Sequence, residues 1–384
     1  MIISRLIVKN WKNFKSIDVE LQERVIIVGA NASGKSNFLD IFRFLRDIAK
    51  PGGGLQPAVI EERGGVSKIR SLSARTNPTI EIEVHFSEFG TRDVIWKYKI
   101  GITQESRGGR LQLIKYEKVS DKNGKVLFER PNLDDEKDKK RKTQTYLEQI
   151  NTNSEFREIV TFFEKTLYLH LVPQLLKYPR AFTGPDLSGD PFGRGFLDRI
   201  AKVPEKTRNV SLRRVQEVLK LAVPKLKELK FTTELGYPHL EAIYEHWRPN
   251  AGKQQEDQFS DGTLRMIGLF WALQEGDSLL LLEEPELSLN GAIVSKLASL
   301  IYKLQKLKKR QVIITSHSSD LLQDRGISLS EILILEPTNE GTVVKTASSI
   351  KEIQYMLDEG MTPSEAILPR IAPNSINQIA FEFQ

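Results

Sequence analysis

Cysteine is absent from the 384 residues. That excludes disulfides, cysteine-ligated zinc and thiol catalysis, and it fits a reducing compartment. Histidine is scarce, with only 5 in the chain. Long apolar runs are missing too. The most apolar stretch, Ser278 to Leu282, is far shorter than the roughly 20 residues a membrane-spanning helix needs. The N-terminal Met1–Val8 has no basic start, no long apolar core and no small-residue cleavage site, so a secretion signal is not expected and a soluble cytoplasmic protein is. A strong excess of one charge is also lacking. The net charge of +6 permits contact with nucleic acid without arguing for it. The composition, 40% hydrophobic and 28% charged, is that of a folded chain. Its length suggests about two to three domains, or one large core with an insertion.

Apolar runs around Ile3–Val8 and Ile17–Leu21 read as strands, and Val25–Val28 as a β-branched strand buried on both faces. A helix is expected from Ser36 to about Ala49, ended by Pro51-Gly52-Gly53-Gly54. Ile80–Phe86 and Val94–Ile100 alternate like antiparallel strands with one wet face. From Arg107 to about Pro249 the pattern loosens. Asp134–Lys142 is a charge run that reads as a solvated loop or helix face, with a nucleic-acid contact as the sharper alternative. Gly184–Gly195 reads as a loop. Ser211–Ala222 has helical apolar spacing, with Ser211 as its N-cap. Lys225, Lys227 and Lys230 read as surface. The last third alternates helices (Thr263–Leu273, Gly291–Leu307) with strands (Ser278–Leu282, Gln311–Thr315, Ile332–Leu335), which implies a largely parallel sheet.

Four short segments carry chemistry. Gly29-Ala30-Asn31-Ala32-Ser33-Gly34-Lys35-Ser36 fits G-x-x-x-x-G-K-[ST] between a buried strand and a helix. Its glycines let the backbone curl so that amides face phosphate oxygens at a helix N-terminus. Lys35 is expected on the β- and γ-phosphates and the Ser36 hydroxyl on Mg²⁺. Leu279–Leu282 then delivers Glu283 and Glu284 at a strand's C-terminal end, where ligands bind in open α/β sheets. Neighbours on a strand point opposite ways, so Glu283 is expected on Mg²⁺ or its water shell and Glu284 on the attacking water. Taken alone, two such glutamates more often simply begin a loop. His317, beyond the strand Gln311–Thr315, is placed at the same sheet edge, in reach of the γ-phosphate. Phe259-Ser260-Asp261-Gly262-Thr263 leads into a helix whose N-terminus is ready for an anion, or is an ordinary cap.

In this order, the four segments resemble the ABC-type ATPases of the SMC, RecF and OLD group, including stand-alone bacterial ATPases of the AAA/ABC kind. Gly29–Ser36 with Asn37 resembles the Walker A loop, Ser260–Thr263 the signature, and Leu279–Glu284 with Pro285-Glu286 the Walker B strand and catalytic glutamate. His317 in Thr315-Ser316-His317-Ser318 matches the switch histidine, and Leu6–Phe14 looks like the group's first strand. Three positions depart from the pattern: Glu283 stands where Asp is usual, Asp261 replaces the first signature glycine, and Ala32 replaces a frequent glycine. Gln56 and Gln174 both remain open as the Q-loop glutamine.

The resemblance implies an α/β P-loop NTPase, an ABC/RecF-like head with a mixed sheet and a mostly helical insertion. Its parts are an N-terminal ATPase lobe over 1–106, an insertion or lid over 107–250 and a C-terminal ATPase lobe over 251–384. The nucleotide-binding residues it implies are Gly29, Asn31, Ser33, Gly34, Lys35, Ser36 and Asn37, together with Ser260 and Gly262 from a second copy. Ser36 and Glu283 would hold Mg²⁺, and Glu284 and His317 would be catalytic. ATP would be sandwiched in a head-to-tail homodimer, and hydrolysis would open it. Three tasks compete for such a switch: an anti-phage defence ATPase controlling a separate effector such as a nuclease, a DNA repair ATPase of RecF/SMC type, and a transporter subunit. The insertion and the Ser-Asp-Gly-Thr signature argue against the transporter. The stretch after His317 looks too short for the TOPRIM nuclease of OLD proteins, which favours a separate effector. No membrane partner is expected.

Overall fold

The computed structural model describes residues 1–74, 77–105, 111–179, 181, 190–248 and 252–372. The chain begins with β1 (Ile2–Trp11), β2 (Phe14–Glu20) and β3 (Arg24–Gly29). A helix, Lys35–Ala49, separates them from β4 (Ile80–Ser87), β5 (Val94–Gln104), β6 (Gln112–Asp121) and β7 (Val126–Arg130). Then come β8 (Leu167–Leu169), β9 (Leu226–Glu234), β10 (Tyr237–Tyr244) and β11 (Lys253–Gln255). The chain continues through β12 (Leu280–Glu283), β13 (Val312–Ser316), β14 (Ile332–Thr338) and β15 (Gly341–Thr346).

These strands form three sheets. One is antiparallel, in the order β2-β1-β4-β5-β6-β7. The central sheet runs β15-β14-β3-β13-β12-β8, parallel except for β15. The third, β11-β10-β9, is small and antiparallel.

The central sheet is buried on both faces, and its alternation sorts the side chains into two cores. Val25, Ile27, Leu279, Leu281 and Ile313 face the antiparallel sheet. Ile26, Val28, Leu280, Leu282, Val312 and Ile314 face the helices Asp261–Gln274 and Gly291–Lys308. The helix Lys35–Ala49 lies in the first core. This explains why Phe38, Phe42, Phe44 and Ile48, which point round much of its circumference, are all buried. The β1–β2 hairpin packs on it through Trp11–Phe44 and Phe14–Phe38 ring contacts at 5.2 and 6.2 Å.

Charge locks this helix as well. Asp40, buried, pairs with Arg63 and Lys12 at 2.7 Å each. Burial pushes its pKa up, but the charges and hydrogen bonds of Arg63 and Lys12 outweigh that and leave it lowered to about 2. A carboxylate with a depressed folded pKa adds stability above its unfolded pKa, and that stability fades as pH falls through the folded value. The shift corresponds to about 2 kcal/mol. Asp40→Asn should therefore be less stable than wild type above pH about 4, and the gap should shrink as pH drops toward about 2. Urea unfolding of both proteins across that range checks this.

The part of the chain expected to start an insertion at 107 instead extends the N-terminal lobe, because β6 pairs with β5 and β7 with β6. β8 likewise belongs to the central sheet, beside β12. The expected boundaries at 106/107 and 250/251 lie outside the described residues. The helices Pro173–Lys177, Phe196–Ala201 and Glu205–Ala222 and the sheet β9–β11 lie outside the two large sheets and share the second core with the central one. The helix expected from Ser211 starts at Glu205, so Ser211 lies inside it and Pro204 is the N-cap. Its first turns, Glu205 to Arg208, are polar and carry no apolar period. The loop expected over Gly184–Gly195 lies outside the described residues from 184 to 189. The run Asp134–Lys142 is a short helix followed by a 3-10 turn, exposed apart from buried Asp135 and half-buried Lys142. Asp135 pairs with buried Arg130 at 2.5 Å. Among the described residues no helix is long and apolar enough to cross a membrane.

Candidate functional site

β3 ends at Gly29, and the chain turns through Ala30–Gly34 before the helix starts at Lys35. The turn needs left-handed backbone at Ala32 (φ 61°) and Gly34 (φ 101°). At Gly34 a side chain is also excluded sterically, since a Cβ would lie 2.1 Å from Asn13 Nδ2. Asn13, in the β1–β2 turn, buttresses the loop. Its amide donates to Ser33 O at 2.9 Å and to Thr342 Oγ1 at 2.8 Å, and its Oδ1 accepts from Asn37 Nδ2 at 2.8 Å. The Asn37 side chain is thus turned to Asn13. Asn31 is exposed at the loop tip, and Ser33 Oγ is buried without a hydrogen-bond partner.

Lys35 is buried, and its ammonium donates to Gly29 O and Ala30 O at 3.2 Å each. Burial lowers its pKa, and the charges of Glu284, Glu283 and Glu286 oppose that. An ammonium held on two loop carbonyls is placed to exchange them for phosphate oxygens.

β3, β13 and β12 are neighbours, so the residues at their C-terminal ends meet. Glu283, the last residue of β12, accepts a hydrogen bond from Ser36 on Oε1 and from the Tyr168 hydroxyl on Oε2. Glu284 is already off the strand, with φ 46°. That strained left-handed conformation, more than strand alternation, separates it from Glu283. Its amide donates to Thr315 O at 3.0 Å, and its carboxylate meets His317 Nε2 at 3.1 Å. Burial lowers the His317 pKa, Lys35 lowers it further and Glu284 opposes both. Glu286 steadies the same corner: Ser316 Oγ and His317 N donate to its Oε1 at 2.5 and 3.3 Å.

A divalent cation fits this corner by its donor chemistry. Ser36 and Glu283 put two hard oxygens in contact beside the phosphate loop. Among the described residues no group of three His, Asp or Glu side chains could cage a metal alone. Mg²⁺ suits such a site, since it binds through one or two protein oxygens plus phosphates and water.

The Ser260–Thr263 turn lies apart from this corner. Ser260 caps the helix Asp261–Gln274 by accepting from Thr263 N at 3.1 Å. A Cβ on Gly262 would come within 2.7 Å of Ser288 O, so the helix start packs on the loop after Glu286. Asp261 is held by Lys177 at 2.7 Å and Gln174 at 3.0 Å, and Lys177 keeps its pKa low. Among the described residues no hydrogen bond joins Ser260 or Gly262 to Gly29–Ser36. Gln56 lies elsewhere, donating to Gln112 O and Thr143 O. Tyr168, Asn13 and Thr315 belong to the site and were not expected there. Tyr168 lies 115 residues from Glu283, and no local pattern marks it.

Residues 24–323 match the family described as "AAA domain, putative AbiEii toxin, Type IV TA system". The chain belongs to this AAA family. The SMC head is among the similar solved folds. A crystal structure of an SmcHead bound to the C-winged helix domain of ScpA matches at TM-score 0.55 and 15% identity, over 91% of this chain and 99% of that one. The SMC head domain from Thermotoga maritima matches at TM-score 0.47 and 17% identity, over 90% of this chain and 99% of that one. No curated protein matches. The AAA-family protein accordingly has the mixed α/β fold of an SMC head, as its motifs implied.

Proposed function

We propose that this AAA-family protein hydrolyses ATP with Mg²⁺, closes as a homodimer around the nucleotide, and uses that cycle to control a separate effector in a cytoplasmic anti-phage defence module. One observation carries the hydrolytic part: Lys35, Ser36, Glu283, Glu284 and His317 gather at the ends of three adjacent parallel strands.

Each side chain has a task that its surroundings allow. Lys35 leaves the Gly29 and Ala30 carbonyls and neutralises phosphate charge, aided by the loop amides and the helix N-terminus. Ser36 and Glu283 would hold Mg²⁺. When bound, the ion neutralises charge on the phosphate oxygens. Glu284 accepts the proton of the attacking water, and His317 orients its carboxylate. Ser260 and Gly262 sit at a capped helix start with no tie to their own phosphate loop, which suits them to close on the nucleotide of a second copy.

The effector reading is supported by the family description, which names a toxin of a type IV TA system. The similar SmcHead bound to a domain of ScpA supports a protein partner.

Mixing tests the shared site. Lys35→Ala and Ser260→Arg proteins should each be inactive alone, yet the mixture should regain ATPase activity, because one composite site of each mixed dimer is intact. No recovery, together with no ATP-dependent dimer of the wild type in light scattering, would sink the sandwich. Strong stimulation by DNA that weakens steeply with salt would favour the repair reading over the effector reading.

A further inference from the structure

We infer that Tyr168 is a positioning residue for the cation site: its hydroxyl holds one oxygen of Glu283 so that the other is presented beside Ser36. The inference deepens the proposed function and rests on it.

β8 has no sequence motif, but its register sets Tyr168 opposite Leu281, two residues before Glu283. Tyr168, Leu279 and Leu281 share the core on the side of the helix Lys35–Ala49. Alternation along β12 turns the Glu283 side chain to that same side, where Ser36 lies in the first turn of the helix. The carboxylate therefore lies between two hydroxyl donors, Ser36 on Oε1 and Tyr168 on Oε2.

The tyrosine is itself fixed. It is buried, and the Arg43 guanidinium, from the helix Lys35–Ala49, sits 4.3 Å from its ring centroid. A phenol hydroxyl carries its hydrogen near neutral pH, so it serves as the donor to the carboxylate. A carboxylate free at both oxygens would have to be ordered when the cation binds. One already anchored on its far oxygen loses less freedom on binding.

The test reads nucleotide affinity and needs no turnover. ATP binding is titrated against Mg²⁺ by calorimetry for wild type, Tyr168→Phe, Glu283→Ala and the double variant. Tyr168→Phe should raise the Mg²⁺ concentration needed to tighten ATP binding by about 10-fold or more, and leave Mg²⁺-free ATP affinity unchanged. In the Glu283→Ala background the same substitution should add nothing, which a merely structural role of the ring would not produce. Arg43→Met, which frees the ring but keeps the hydroxyl, should give a smaller shift in the same direction. A wild-type Mg²⁺ dependence in Tyr168→Phe, or a shift that persists without the Glu283 carboxylate, overturns the inference alone. Wild-type ATP binding that ignores Mg²⁺ overturns the proposed function along with it.

Discussion

Lys35→Ala should all but remove nucleotide binding while the protein stays folded. The lysine is a buried cation whose partners are the Gly29 and Ala30 carbonyls at 3.2 Å. Its burial disfavours the charge, as the direction of its pKa shift shows. Removing it costs the fold little, and the thermal midpoint without nucleotide should not fall. Against ATP the loss is large. A charge-assisted hydrogen bond is worth about 1.5–3 kcal/mol, and the ammonium is placed to make more than one with the β- and γ-phosphates. At about 1.4 kcal/mol per tenfold, affinity should drop roughly 100-fold or more. Calorimetry with ATP measures this directly, and unchanged affinity would remove the phosphate-loop reading.

Glu284→Gln should separate binding from turnover. The substitution is nearly isosteric, and the amide can still meet His317 at the same distance, so the corner keeps its shape. The left-handed backbone at this position is equally strained for either residue. What disappears is the basic carboxylate. General-base catalysis contributes about 100- to 10,000-fold, so kcat should fall by that factor with ATP affinity retained. Since opening depends on hydrolysis in the proposed cycle, dimers should accumulate with Mg²⁺ and ATP and be visible in light scattering. A variant that turns over like wild type would dismiss Glu284 as the base.

Features made of contiguous residues are legible in the chain itself. Gly29–Ser36 is local chemistry: eight successive residues whose glycines and following helix make the loop, whatever surrounds them. The core strands β3, β12 and β13 are legible for a related reason. A strand buried on both faces must be apolar without interruption, and few other elements need that. Element ends are legible only to within a few residues, as the start at Glu205 shows. There the polar first turns of the helix belong to no apolar stripe.

Sequence alone therefore determined the Gly29–Ser36 turn, the paired glutamates, the histidine after β13 and the parallel α/β core, because each is written in adjacent residues or in a short period. Only the tertiary structure decided which way Glu283 and Glu284 turn and which residues steady them. Glu283 turns to Ser36 because β12 alternates toward the helix Lys35–Ala49, and Glu284 turns to His317 because its backbone is left-handed and its amide is held by Thr315. Tyr168 reaches Glu283, and residues 112–130 join the N-terminal sheet, through strand register. Register depends on which strands meet across long stretches of chain, and no local spacing records it.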